Sequence, residues 1–180
     1  MKKISKLLVV IGLLFLVVGC GSIMNTPTKE VEEFLNKYQS LDQEVLDQLD
    51  TTLEDSDSFT GSQKEEYYDL MKTQYKNLDY KIKEENVDGD EATVEVEIEV
   101  IDYGKAISDA EMYLANNKEE FSIDDEIDNS KFLDYKISEM KKVKDKVTYT
   151  INLKLERKDN KWQLQDINDI DRLKLHGLYY

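Results

Sequence analysis

Cysteine, histidine, tryptophan and proline occur once each in this 180-residue sequence, and each scarcity removes a class of chemistry. A single cysteine, Cys20, permits no intrachain disulfide and no cysteine-based metal site. A single histidine, His176, leaves zinc coordination by carboxylates around one imidazole, an atypical set, and nearly excludes Cys–His and Ser–His dyads. Its place beside Gly177, four residues from the C-terminus, predicts a surface or helix-end residue in a segment that frays. The seven glycines are scattered, so there is no glycine-rich phosphate loop and no Gly-x-Ser-x-Gly elbow. Positive charge is also short. Lysine and arginine total 24 against 39 acidic residues, a net charge of −15. Such a chain is repelled by nucleic acid and by anionic headgroups, so no nucleic-acid partner is expected. With 39 carboxylates, spacing alone cannot single out an acid/base pair.

Long apolar runs are lacking too, except at the start. Lys2, Lys3 and Lys6 precede the run Leu7 to Val18, which is short for a membrane span, for which about 20 residues are needed. The run closes on Val17-Val18-Gly19-Cys20, followed by Gly21-Ser22. That tetrapeptide resembles a bacterial lipobox: two aliphatic residues, a small one, then the cysteine that takes the lipid. The resemblance implies export, a diacylglyceryl thioether on Cys20, with palmitate-like acyl chains, and cleavage before that residue. An ordinary signal peptide would want small residues where Val17 stands. A retained span is interrupted by Gly12, Gly19 and Gly21. Two acyl chains hold a protein stably, at about 0.8 kcal/mol per buried methylene. The expected location is therefore the extracytoplasmic face of the cell membrane, reached through the lipid anchor. Codon-driven preferences for Lys, Asn and Ile suggest a Gram-positive source. The domain reading is 1–19 signal peptide, 20–27 lipidated cysteine and spacer, and 28–180 one domain, large enough to bury a core.

Within that domain, Thr26-Pro27 marks a helix start. Val31, Phe34, Leu35, Tyr38, Leu41, Val45, Leu46 and Leu49 follow helical spacing, with a break expected near Ser40. Residues 50–61 are expected as a polar turn-rich stretch, and 63–77 as a second helix. Strict alternation then predicts two strands, 80–87 and 92–100, joined by a three-residue turn Asp88-Gly89-Asp90. That register sets Val87 against Glu91, Ile82 against Val96, Lys81 against Glu97 and Lys83 against Glu95. Helices are expected over 105–120 and 131–143, separated by an acidic loop 121–130. A long strand 147–155 turns at Asp159-Asn160 into a returning strand 161–167, pairing Leu155 with Leu164. A short helix over 169–175 closes the chain. This is an α+β domain, with helices packed on one face of an antiparallel sheet.

With the lipobox, two leading helices, a Tyr80-x-Ile82 strand, the opening Lys161-Trp162-Gln163-Leu164 and the tail Leu173, Leu175, Gly177-Leu178, the chain resembles small Gram-positive lipoproteins with a nuclear transport factor 2-like, or cystatin-like, domain. The resemblance implies a curved sheet wrapped on a long helix, enclosing a cone-shaped cavity. Members include enzymes, ligand binders and chains without assigned activity.

The residues themselves point to no catalytic site, no cofactor and no metal. Asp124 to Asp128 form the densest acidic patch but miss the calcium-loop spacing and its glycine. A solvated loop is the simpler reading. Glu95, Glu97 and Glu99 could face a cationic partner, though an exposed sheet face needs charge in any case. Tyrosine outnumbers phenylalanine 11 to 5, which suits a cavity rim or an amphipathic sheet surface. The functional expectation is a membrane-anchored, non-catalytic binding or accessory domain for a small ligand or a protein partner. The alternative is a carboxylate-based enzyme of the cone-shaped superfamily.

Overall fold

The computed structural model describes residues 25–56 and 58–180. The lipobox residues Val17, Val18, Gly19 and Cys20, with the 1–19 segment, lie outside them. No helix among the described residues is long and apolar enough to cross a membrane.

The first element is α1, Pro27–Gln39. It starts as expected, with Pro27 in the first turn and Thr26 accepting from the Lys29 N–H. Asn25 is not part of a free spacer. Its side-chain oxygen accepts from the Trp162 N–H, and its amide nitrogen donates to Glu30 at 2.9 Å. The break falls at Leu41, with φ of 54°. Asp42 rather than Ser40 caps the following helix α2, Gln43–Glu54. The expected loop at 50–54 is therefore helix, because Leu53 continues the buried stripe of Val45 and Leu49. Thr51 and Thr52 there donate their hydroxyls to the carbonyls of Asp47 and Gln48. Helix α3, Gly61–Lys76, opens on a capping box between Thr60 and Gln63.

Strands β1, Asp79–Asp88, and β2, Glu91–Ile101, form the first hairpin. Ile82 faces Val96 and Lys81 faces Glu97, as expected. The turn, however, has two residues, not three. Asp88 pairs with Glu91 and Val87 with Ala92. Gly89, at φ of 62°, takes the first central position, which a tight hairpin turn reserves for positive φ. The surplus residue is absorbed by a bulge between Ile82 and Glu84. Lys83 thus leaves Glu95 and donates to Glu97 at 2.9 Å.

Helix α4, Tyr103–Asn116, begins two residues earlier than its spacing suggests because Asp102 caps it. A 3-10 turn, Lys118–Phe121, follows. The acidic loop is a small hairpin of β3, Ser122–Ile123, and β4, Glu126–Ile127. Asp124 and Asp125 form its turn with φ of 51° and 66°. Asp128 caps α5, Asn129–Lys142. Strand β5, Lys146–Lys158, turns at Asp159-Asn160 into β6, Lys161–Leu164, with Leu155 opposite Leu164 as predicted. The returning strand stops at Leu164, short of the expected 167. Helix α6, Asp169–Leu175, matches its predicted span.

The sheet order is β1-β2-β5-β6, all antiparallel. One face is apolar: Val94, Val96, Ile98, Val100, Ile151, Leu153 and Leu155 are buried against Val31 and Leu35 of α1 and Leu175 of α6. The other face carries Glu95, Glu97 and Glu99 opposite Asn152, Thr150 and Thr148. A second core joins α2, α3, α4 and α5 around Met71, Tyr75, Tyr103 and Ile137. The result is the α+β class expected, a four-stranded antiparallel sheet with helices packed against it, consistent with a cystatin-like fold.

Candidate functional site

A cleft of about 710 Å³ opens between α1, α2, α3 and the segment 164–178. Helix α1 contributes Phe34, Lys37 and Tyr38, and α2 contributes Glu44, Gln48 and Leu49. Helix α3 adds Tyr67, Met71 and Tyr75, while the C-terminal segment adds Asp166, Arg172 and His176. Helical spacing explains the convergence. Phe34 and Tyr38 lie one turn apart on α1, as do Tyr67, Met71 and Tyr75 on α3.

Aromatic rings form one wall. Tyr38 meets Tyr75 edge-on at 4.9 Å between centroids, and Phe34 meets Tyr38 at 5.2 Å. His176 lies against both tyrosines, 5.5 Å from Tyr75 and 6.3 Å from Tyr38. The expectation of a frayed surface histidine is therefore wrong in one half. His176 does end a helix, but the segment is packed rather than frayed, and the half-buried imidazole lies against the two rings. The tail is pinned by backbone bonds. Gly104 N–H donates to the Gly177 carbonyl at 2.7 Å, and Leu178 N–H donates to Leu173 at 2.8 Å. The Tyr149 hydroxyl donates to the Tyr179 carbonyl at 3.0 Å. Gly177 has φ of 67°, and a Cβ there would collide with the Gln74 amide and the Ile101 carbonyl.

Burial sets the protonation of this wall. It drives the His176 imidazole down to about 4, with the Arg172 charge adding to the effect. It drives Tyr67 up to about 12 and raises Tyr75 further. Tyr38 is raised by burial against an opposing pull from Arg172. All four groups are neutral near pH 7. None of their polar atoms bonds to a described residue, and no buried side-chain polar atom among the described residues is sealed off without a partner. Their hydroxyls and ring nitrogens therefore open onto the cleft. At the rim, Lys37 is bound to Glu44 at 2.6 Å. Arg172 donates from Nη2 to the Ile167 carbonyl at 3.1 Å and makes no ion pair to a described residue.

The sequence singled out His176 but misplaced it, and it did not find Tyr38, Tyr67, Tyr75 or Arg172. The one signal was the tyrosine excess. The acidic stretch Asp124 to Asp128 is spent on a turn and a helix cap, away from the cleft. Glu97 and Glu99 are bridged by Lys83 and Lys146 on the polar sheet face. No group of three or more His, Cys, Asp or Glu among the described residues is arranged to hold a metal ion.

No protein-family model matches the chain, and no curated protein is similar to it. Among solved structures it is similar to a candidate lipoprotein, YcdA, from Bacillus subtilis, at 21% identity and a TM-score of 0.41. The likeness covers 82% of this chain and 46% of that one, so the chain spans about half of that protein's length.

Proposed function

We propose that the protein is an extracytoplasmic lipoprotein, tethered to the cell membrane by a diacylglyceryl group on Cys20, whose nuclear transport factor 2-like cone serves as a non-catalytic binding domain for a small ligand. The observation that carries the binding half is the cleft itself. A cavity in the size range of small-molecule sites, lined by apolar and aromatic side chains and by polar groups of which several have no partner among the described residues, is what a ligand site requires. The apolar face of the sheet is filled by α1, so the opening is the cleft beside the cone rather than the cone itself, and its aromatic lining supports a small ligand over a flat protein-binding surface.

Absence of catalysis is the better reading for a specific reason. An imidazole at about 4 is too weak a base for work near pH 7, where a catalytic group is tuned close to the operating pH. Glu44 and Asp166, the carboxylates lining the cleft, are exposed, and Glu44 is held by Lys37.

The anchor is tested by metabolic labelling with an alkyne fatty acid. Wild type should take the label and sediment with membranes. Cys20→Ser should do neither. An unlabelled wild type, or a mature terminus mapped away from Cys20, would refute the tether and leave the cleft reading standing by itself.

A further inference from the structure

The cleft also carries information about what fits it. Arg157 and Arg172 are the only arginines in the sequence. Arg157 stacks on Trp162, 4.3 Å from the ring centroid, which leaves Arg172 as the one guanidinium at the cleft. The other cation there, Lys37, is already neutralised by Glu44. Guanidinium offers a planar fork of donors matched to a carboxylate, with five N–H groups of which one bond to Ile167 uses only one. Tyr38 and His176 both feel the Arg172 charge, and Tyr75 lies against His176; the phenols and the neutral imidazole can each donate a hydrogen bond to an anion.

We infer that the cleft binds an amphipathic monocarboxylate, its carboxylate held by Arg172 with help from His176 and the tyrosine hydroxyls, its apolar or aromatic body lying against Phe34 and Met71. A dianion is disfavoured. Asp166 shares the cleft with Arg172, and the chain's net charge of −15 opposes the approach of each added negative charge. A neutral ligand would leave the Arg172 fork unused. This inference rests on the cleft being a ligand site.

The test uses the full-length protein in nanodiscs and three probes: 4-phenylbutyrate, its amide and 4-phenylbutyl phosphate. Dissociation constants come from ligand-observed NMR against empty nanodiscs, which removes partition into lipid. The carboxylate should bind at least about tenfold more tightly than the amide, as expected for one added charge-assisted bond. It should also bind more tightly than the phosphate. Arg172→Gln should bring the carboxylate down to the amide, and Arg172→Lys should restore part of the preference. Circular dichroism checks that each variant is folded. Equal binding of carboxylate and amide, or a preference that survives Arg172→Gln, would overturn the anion inference alone. Failure of every probe to bind folded wild type would overturn the ligand-site reading with it.

Discussion

Two side-chain amides do the work of missing strands. Gln74, fully buried, donates from Nε2 to the Ile101 carbonyl at 3.0 Å and accepts from the Ile101 N–H at 2.9 Å. Ile101 lies beyond the last β1 pairing, Asp79 with Glu99, so nothing else on that side would satisfy it. Asn25 treats Trp162 in the same way at the other end of the sheet. Replacing Gln74 by leucine keeps the volume and strands two buried backbone groups. We expect a loss of about 2–6 kcal/mol in urea unfolding, from about 1–3 kcal/mol for each of the two unsatisfied groups. A loss below about 0.5 kcal/mol would mean that water reaches Ile101. His176 supplies a second test. Its value falls from 6.5 in the unfolded chain to about 4 in the fold, so the unfolded state binds the extra proton in that window. Stability from this group is complete above pH about 6.5 and lost as pH falls toward about 4, on the order of 3 kcal/mol in all. Measured against His176→Gln, the advantage of wild type should shrink over that range. The comparison cancels the carboxylates of Glu44 and Asp166, which face the same cleft.

Turns decide register at the scale of elements. Asp159 and Asn160 both have positive φ, 50° and 61°, the pattern of a two-residue turn that favours glycine at its second position. Asn160→Gly should therefore raise stability by about 0.5–1 kcal/mol, and Asn160→Val should lower it by at least about 1 kcal/mol. Chemical denaturation reads both, and a change of the same sign for the two variants would reject this account of the turn. The exposed edge of β5 beyond β6 is handled by the C-terminal segment. Gln165 N–H donates to the Lys154 carbonyl at 2.9 Å, and Lys174 Nζ donates to the Thr150 carbonyl at 3.1 Å. The segment that builds the cleft thus also covers a strand edge that would otherwise be free to pair with another chain.

For the molecule as a whole, charge is the main lever. A net −15 opposes compaction by self-repulsion, and surface charges lose most of their interaction beyond a Debye length of about 8 Å at about 0.15 M salt. Raising sodium chloride from about 0.01 to about 0.15 M should lift Tm by a few degrees, a gain of roughly 1 kcal/mol. The ion pairs Lys146–Glu99, Lys146–Asp79 and Lys83–Glu97 are all substantially exposed and are weakened by the same salt. A Tm that falls would show that these pairs outweigh the repulsion.

Alternation and spacing were enough to place the long strands, the pairing of Ile82 with Val96 and of Leu155 with Leu164, and α6 to the residue, because burying one face imposes period two or 3.6 on the chain itself. The lipobox reading rests on a linear signal of four neighbouring residues, which lie outside the described ones. The bulge at Lys83, the helical continuation to Glu54, and the hairpin at Asp124-Asp125 escaped because turn geometry and a single buried side chain, Leu53 or Phe121, outweighed polar composition. The cleft was not legible at all. It gathers Tyr38, Tyr75, Arg172 and His176 from three separated stretches. The shifts of Tyr38, Tyr75 and His176 follow from burial, which exists only after the tail has been locked onto α4 through Gly104 and Gly177. Local pattern therefore determined the elements, and packing at long range decided which of their side chains meet and how strongly each is shielded from water.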